Sequence, residues 1–431
     1  MTTQKSHAIV IGAGMAGLTS AIRLLEAGFA VTVIESEKKI GGLASTFELK
    51  NKHFPIGYHH ILAEDKPLLK MLNELGISKD IIWKKIKIIF AVENKTYNLT
   101  NPFDFCKFPL SPINKFRFAT LMGYCIIKKN WNIGLGNARA WIDDIAGKKV
   151  RETIFDPLMD IKYGLPSEFL SANWLGSRLH CQEFSKPLGY LRDDEWTKIL
   201  VEKMRQKIVS LGGVIIAGAT AKKIKIEDKK FNGLIFVKDE QEKYLAGRIL
   251  VNTAPPHIFI TLFDCPDEKL KKIKYLDALS MIMEINESLP REFYLLSCLK
   301  PRYSFGGIYV LSSLKPNIGI ENKTILNFFS TLSESSEHLR NKTAEELTDI
   351  YLDDFQKIFG FKPKPLWYKL NIIKNYSPKY LNDYQNPNQR YTIKGIYLAG
   401  NYLTYPLITS TGSAIFSGET VSNYIKEDYA K

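Results

Sequence analysis

Two groups of residues near the start of the chain could do chemistry. Gly12, Gly14 and Gly17 stand in the spacing G-x-G-x-x-G within "HAIVIGAGMAGLTSAIRLLEAGFAVTVIES", and His59 stands beside His60 in "FPIGYHHI", in a chain with only seven histidines. The glycine pattern is suited to phosphate. The first glycine permits a tight turn, the second lets a pyrophosphate approach the backbone, and the third lets helix and strand pack closely. The histidine pair could be metal ligands, a group acting beside a bound substrate, or two core residues.

Such glycines work only between a strand and a helix, and the pattern supplies both. Ala8 to Ile11 reads as a buried strand, Met15 to Ala27 as an amphipathic helix, and Ala30 to Glu35 as a second strand. Phosphates would sit at the helix start, beside Met15 and Ala16, where unpaired N–H groups favour negative charge. Glu35, followed by Ser36, ends the second strand about twenty residues on, where an acid accepts hydrogen bonds from an adenosine ribose. A Gly-rich turn without ligand is the bland alternative. The four features together point to a dinucleotide, and the acid disfavours NADP, whose 2′-phosphate it would repel. The motif by itself does not separate NAD from FAD.

The remaining composition narrows the classes. At 431 residues, 45% hydrophobic and 12% aromatic, the chain can bury a large core and divide into about two to three domains. No apolar run reaches the roughly 18 residues of a spanning helix, and strand-like sequence starts at His7, leaving no room for a secretory signal. A cytoplasmic location is expected. Cys106, Cys125, Cys181, Cys265 and Cys298 form no C-x-x-C pair, which argues for reduced thiols and against a disulfide framework or structural zinc. The net charge is +14, and Lys84 to Lys149 carries twelve basic and four acidic residues, a net +8. There Phe and Lys interleave, as in "FDFCKFPLSPINKFRF". Either this is a solvated face over a helical core, or it meets anionic lipid headgroups or guides an anionic substrate. No nucleic-acid-binding pattern accompanies the charge, so nucleic acid is not expected as a partner. The absence of H-E-x-x-H, G-x-S-x-G and P-loop lysine sequences weakens hydrolase and zinc readings.

Gly41-Gly42 follows Glu35 by six residues and leads into "LAST", and the chain ends in "IKGIYLAGN" and "TGSAIFSGETVSNYIKE". With these the sequence resembles the flavin amine oxidase superfamily, the group of monoamine oxidases, protoporphyrinogen oxidases and phytoene-desaturase-like enzymes. The resemblance implies FAD, with Gly41, Gly42, Leu43 and Ala44 running along it toward the flavin. It implies that Gly400-Asn401 ends a strand leading to a helix whose first amides, at Gly412, Ser413 and Ala414, contact pyrophosphate and isoalloxazine. Asn401 replaces the family's usual Asp and Ser413 its usual Gly; an Asn can still hydrogen-bond a ribityl or phosphate oxygen. "LVEKMRQKIVSLGGVIIAGATAKKI" would put Ala221 where the backbone meets adenine, and "RILVNTAPP" would return a strand to the cofactor near Thr253. Monoamine oxidases attach flavin through a cysteine near the C-terminus. No cysteine follows Cys298 here, so noncovalent FAD is expected.

"IFDPLMDIKYGLPSEFLSANW" resembles the protoporphyrinogen-oxidase-like branch. After Gly189-Tyr190, where the family places Gly-Gly near its substrate cavity, this chain has Asp193-Asp194-Glu195. These acids either favour a cationic substrate or solvate a surface turn.

The fold implied is α/β: a Rossmann-like FAD-binding domain (residues 1–85, 190–270 and 386–431) interleaved with a mixed substrate domain (86–189 and 271–385), the amine-oxidase layout. The substrate domain would combine a helical insert with a β-rich section, in which "ALSMIMEIN", "GIYVLSS" and "TILNFFS" read as strands, Ala344 to Phe359 as a helix, and "FKPKPLW" as a connection. The activity implied is that of an FAD-dependent oxidoreductase passing a hydride between flavin N5 and a largely apolar small molecule (isoprenoid, lipid-like or tetrapyrrole), with peripheral contact to the inner face of an anionic membrane. The rivals are an amine oxidase releasing peroxide and a non-redox flavin mutase on a nucleotide-sugar.

Related flavoproteins carry D-x-G-x-H where this chain has Pro55, Gly57 and His59. In an extended segment adjacent side chains point to opposite faces, so only one histidine can address the flavin, and a two-histidine metal site is disfavoured. Tyr58 would be a wall or core residue. His59 is expected beside the ring and His60 behind it. His59→Ala should then depress turnover, or shift the flavin spectrum, more than His60→Ala; equal and negligible effects would return the pair to the core.

Overall fold

A computed structural model describes residues 6–99, 101–131, 134, 136–180, 186–263, 267–321 and 323–429. Strand His7–Ile11, helix Met15–Glu26 and strand Ala30–Ile34 form the first unit. The two strands pair in parallel from His7↔Ala30 to Ile11↔Ile34. They lie in a five-stranded parallel sheet in the order Val214–Ile216, Ala30–Ile34, His7–Ile11, Ile249–Asn252, Ile396–Leu398. Its strands are apolar on both faces because both are covered. Ala8 and Val10 point into a core shared with the helices Met15–Glu26, Trp196–Ser210 and Thr411–Tyr429. Ile9 and Ile11 point the other way, against Phe231, Leu234 and Phe236 of an antiparallel sheet made by Ala219–Glu227, Lys230–Lys238 and Gln241–Ala246.

A second large sheet has seven strands: Pro365–Pro378, Tyr275–Ile285, Thr324–Leu332, Gly307–Val310, Leu295–Lys300, Ile88–Val92 and Lys95–Tyr97. Only the pair Leu295–Lys300 with Ile88–Val92 is parallel. One face packs on helix Ala344–Phe359 through Leu347, Tyr351 and Phe355. That helix is fixed at one end by a capping box between Thr343 and Glu346 and at the other by Gly360 at φ +81°. The opposite face carries Ile88, Phe90, Tyr309 and Ile325 into a core with the helical insert. The insert contains Pro102–Lys107, Pro112–Ile127, Ala138–Ile145, Asp156–Tyr163 and Ala172–His180.

Two local readings change. "FKPKPLW" is a connection only to Lys364; from Pro365 it begins a fourteen-residue strand. This strand is the sheet edge, where a proline's missing N–H is tolerated. In "GIYVLSS" the strand stops at Val310 and Leu311–Leu314 coils into a helical turn, with Ser312 Oγ accepting the Ile325 amide at 3.1 Å. Among the described residues, Cys106, Cys125 and Cys298 are free thiols; Cys181 and Cys265 lie outside them. Among those residues no helix is long and apolar enough to cross a membrane.

The last helix closes the first unit. Where Thr411–Tyr429 crosses Met15–Glu26, a Cβ built on Gly418 would lie 2.5 Å from the Ala16 carbonyl oxygen. Gly418→Ala must push two helices apart. It should cost about 1–3 kcal/mol, read as a lower denaturant midpoint at unchanged slope; an unaltered midpoint would mean the crossing has slack.

Candidate functional site

Two glycine turns meet at the C-terminal edge of the parallel sheet. Gly12 holds φ +98°, and a Cβ there would meet Thr253 Oγ1 at 2.5 Å. One on Gly17 would sit 1.9 Å from the Gly12 carbonyl oxygen, whereas one on Gly14 meets nothing within 4 Å. The outer glycines are thus required by packing, and the middle one faces the open space that a pyrophosphate needs. Helix Met15–Glu26 begins with no side-chain cap and no acid in its first turn, which leaves the amide end beside Met15 and Ala16 suited to an anion. Thr253 donates its hydroxyl to the Ile11 carbonyl at 2.7 Å, holding the turn in place. Glu35 is buried; one carboxylate oxygen accepts the Ala13 amide at 2.6 Å, the other the Ser36 hydroxyl and the Glu37 amide at 3.1 and 2.9 Å. Its carbonyl takes the Ala219 amide, so the strand carrying Ala221, which lies at a bulge, starts from the same corner.

The second turn lies directly on the first. The Gly41 amide donates to the Ala13 carbonyl at 2.9 Å, and a Cβ on Gly42 would approach Gly14 Cα to 3.2 Å. Gly41 and Gly42 both have positive φ, and a short 3-10 turn carries the chain through Leu43 and Ala44.

The third contribution comes from the end of the chain. Gly400, at φ +136°, donates its amide to Ser417 Oγ at 2.9 Å. Asn401 accepts from the Tyr275 hydroxyl through Oδ1 at 3.2 Å and from Tyr380 through its carbonyl at 2.8 Å. Ser413 closes the helix start, accepting the Ser410 amide and donating to the Ser410 carbonyl, both at 2.9 Å, and Ala414 follows with its amide on that carbonyl. The Gly412 amide is held by Asp65 Oδ2 at 3.1 Å. Asp65 also accepts from Ser410 Oγ and from the Leu68 amide that begins helix Lys66–Glu74. One carboxylate therefore caps two helices. Burial raises its pKa, and those three donors oppose the rise. Sequence reasoning missed Asp65; its signal was Asp-Lys-Pro at a helix start.

The histidine segment joins these turns to the seven-stranded sheet. Gly57 packs on Ile373, where a Cβ would come to 3.1 Å. Tyr58 stacks on Tyr309 with ring centroids 3.6 Å apart and meets the edge of Phe329 at 5.0 Å. His60 Nδ1 lies 3.0 Å from the Tyr294 hydroxyl. His59 points the other way, its Nε2 donating to the Leu43 carbonyl at 2.8 Å and its ring edge-on to Trp196. A carbonyl only accepts, so Nε2 carries the proton and Nδ1 is left as an acceptor. Burial pushes the pKa of His59 down to about 4, opposed by the Leu43 bond and aided by His60. Beyond Phe329 the aromatic wall continues to Tyr376, whose hydroxyl donates to the Lys162 carbonyl at 2.9 Å. Among the described residues no group of three or more His, Cys, Asp or Glu could hold a metal.

The three acids separate by environment. Asp193 is exposed. Asp194 is clamped by Lys198 at 2.6 Å, His53 at 3.1 Å and the Glu195 amide at 2.7 Å. Glu195 is 5% exposed, and its Oε1 has no hydrogen-bond partner. Burial pushes its pKa up to about 7 against the attraction of Lys315, which donates to the Asp194 carbonyl. Glu195, His59, Tyr190, Trp196, Tyr294 and Lys315 line one pocket with Leu311 and Leu314.

The glycine cradle, the uncapped helix start and Glu35 fit a dinucleotide. The sequence model of the flavin-containing amine oxidoreductases matches residues 15–426. The chain belongs to that family and is an FAD-dependent oxidoreductase. It is 24% identical to 15-cis-phytoene desaturase of Arabidopsis thaliana, over 98% of this chain and 80% of the relative. Among solved structures it resembles a protoporphyrinogen-oxidase-like protein of Exiguobacterium sp. 255-15 (TM-score 0.79, 17% identity, 99% of each chain). It also resembles reduced UDP-galactopyranose mutase (TM-score 0.77, 13% identity, covering 99% of this chain and 97% of that one).

The buried pair Glu195 and His59 makes opposite contributions to pH-dependent stability. Glu195, raised to about 7, contributes stability that is full below about 4.5 and lost as pH rises through about 7. His59, lowered to about 4, contributes stability present above about 6.5 and lost as pH falls through about 4. Glu195→Gln should remove the first arm alone, so its unfolding free energy should gain on wild type between about pH 5 and about pH 7. Parallel wild-type and variant curves would rule out a Glu195 that buries neutral.

Proposed function

We propose that the protein transfers a hydride between flavin N5 and a largely apolar substrate of isoprenoid, lipid-like or tetrapyrrole type. The observation that carries this reading is the continuity from the glycine turns, through Gly57 to His60, into a wall of stacked aromatic rings. When bound, FAD supplies the hydride acceptor. The chain supplies position: aromatic faces at Tyr58, Tyr309, Phe329 and Tyr376 suit an unsaturated or apolar skeleton and exclude water. The phenol of Tyr376 is driven far up by burial, so it stays a hydrogen-bond donor throughout. Dehydrogenation also releases a proton. Glu195, with an unpartnered oxygen and a pKa of about 7, is suited to accept it at Oε1 and pass it to solvent. His59, neutral and held by Leu43, orients a donor group at Nδ1.

A second reading, oxidation of an amine with release of peroxide, is favoured by the same free carboxylate, which would pair with an ammonium group among Tyr190, Trp196 and Tyr294.

The purified protein should show absorption bands near about 370 and 450 nm. Their anaerobic bleaching by 15-cis-phytoene or a related isoprenoid supports the first reading, and bleaching by polyamines with aerobic peroxide supports the second. Turnover of a nucleotide-sugar without net electron consumption would overturn both.

A further inference from the structure

One pocket gathers hydrogen-bonding atoms of opposite sense that the chain leaves unanswered. His59, Glu195, Trp196 and Lys315 all border it. Glu195 and Trp196 are 5% and 3% exposed. Among the described residues neither Glu195 Oε1, an acceptor, nor Trp196 Nε1, a donor, has a hydrogen-bond partner. His59 adds a third atom: with Nε2 donating to the Leu43 carbonyl, Nδ1 is an unprotonated acceptor. The His59 ring meets Trp196 edge-on, with centroids 6.4 Å apart, and Glu195 precedes Trp196 in the chain. The three atoms therefore belong to one corner of the pocket. Lys315 attracts Glu195 from beside it, but its ammonium donates to the Asp194 carbonyl.

Size and chemistry together select the occupant. A buried donor and a buried carboxylate oxygen are costly to leave unpaired. The cavity is about 20 Å³, and about 10–15 Å³ is enough for one water. That is too little for a substrate group together with its carbon chain. Pro55, Leu311, Leu314 and Ile318 make the rest of the wall apolar, so a small polar guest finds its partners only in this corner. To satisfy all three atoms, a guest must accept once and donate twice. An ammonium ion cannot accept from the indole, and an anion cannot donate to the carboxylate or the imidazole. Water does both.

We propose that this pocket is a one-water site, in which the water accepts from Trp196 Nε1 and donates to His59 Nδ1 and Glu195 Oε1, and through which Glu195 exchanges its proton. Trp196 acts here as a positioning residue. It occupies one lone pair of the water while His59 takes one hydrogen, which aims the remaining O–H at the carboxylate. When Glu195 is an acid, the water turns its free lone pair to the carboxyl proton, so Oε1 has a partner in both states. The step balances in protons alone: one arrives at the water oxygen as another leaves it for Glu195 Oε1, and no electron moves. The water site stands on the pocket by itself; its use as a relay rests on the reading of Glu195 as proton acceptor.

The test uses the FAD-loaded protein without substrate. A crystal structure should show one ordered water within about 2.5–3.2 Å of Glu195 Oε1, Trp196 Nε1 and His59 Nδ1. Infrared difference spectra at about pH 5, where Glu195 carries its proton, should contain a carboxyl stretch that Glu195→Gln removes. On transfer to heavy water that band should move to its deuterated position promptly in wild type. In Trp196→Phe, which keeps a ring against His59 and removes only the donor, the move should be several-fold slower. A wild-type structure with no water bonded to all three atoms overturns the site. A Trp196→Phe band that exchanges as fast as wild type overturns the part given to Trp196, and a wild-type band that resists exchange overturns the relay whether or not the variant folds. Failure of every isoprenoid and polyamine to bleach the flavin would overturn the proposed reaction and leave these results untouched.

Discussion

The site depends on one close approach: the backbone at Gly14 lies against the backbone at Gly41 and Gly42, with no side chain on either side. A Cβ on Gly42 would press on Gly14 Cα at 3.2 Å and wedge the two turns apart. The neighbours serve this contact. Thr253 fixes the first turn from below, Glu35 holds the Ala13 amide, and Ala13 in turn receives the Gly41 amide. Ser417 does the same for Gly400 at the far end. Small side chains with one hydroxyl or carboxylate each replace the hydrogen bonds that irregular backbone cannot make with itself.

A second pattern is that ionisable groups deep in the pocket are kept neutral, or close to it. His59 is held unprotonated and Glu195 shifted toward its acid form, while Asp194 beside them is paired with Lys198. Asn401, in the place of the family's usual acid, follows the same logic. An amide accepts the Tyr275 hydroxyl without bringing a charge among the buried phenols of Tyr275 and Tyr380. An environment of this kind magnifies the effect of any single proton that moves.

Much of this could be read directly from the residues. The first strand, helix and second strand fall within a residue of their pattern, because glycine spacing and short unbroken apolar runs act locally. Helix Ala344–Phe359 was legible because Thr343 and Glu346 mark its start and Gly360 its end. The edge strand from Pro365 was not, since proline reads as a break unless one knows that its missing N–H faces away from the sheet. Nor could the acids at 193–195 be separated by type. Whether a carboxylate is solvated, clamped or buried depends on Lys198, His53 and Lys315, and two of those partners lie more than a hundred residues away. The resemblance named the cofactor, but the division of labour between His59 and the pair Tyr58 and His60 emerges only from which carbonyl and which hydroxyl each ring meets.

Asp65 also bears on the order in which the protein is made. Its carboxylate, buried early in the chain, is compensated by Ser410 and Gly412, which leave the ribosome 345 or more residues later. Strand Ile396–Leu398 and the Gly400 turn arrive equally late. A chain that has emerged only just past the histidine segment therefore holds Asp65 without two of the three donors that oppose the effect of its burial. Helix Thr411–Tyr429 must be in place before that carboxylate is seated between two helix starts, so a contact that fixes an early segment waits on a late one.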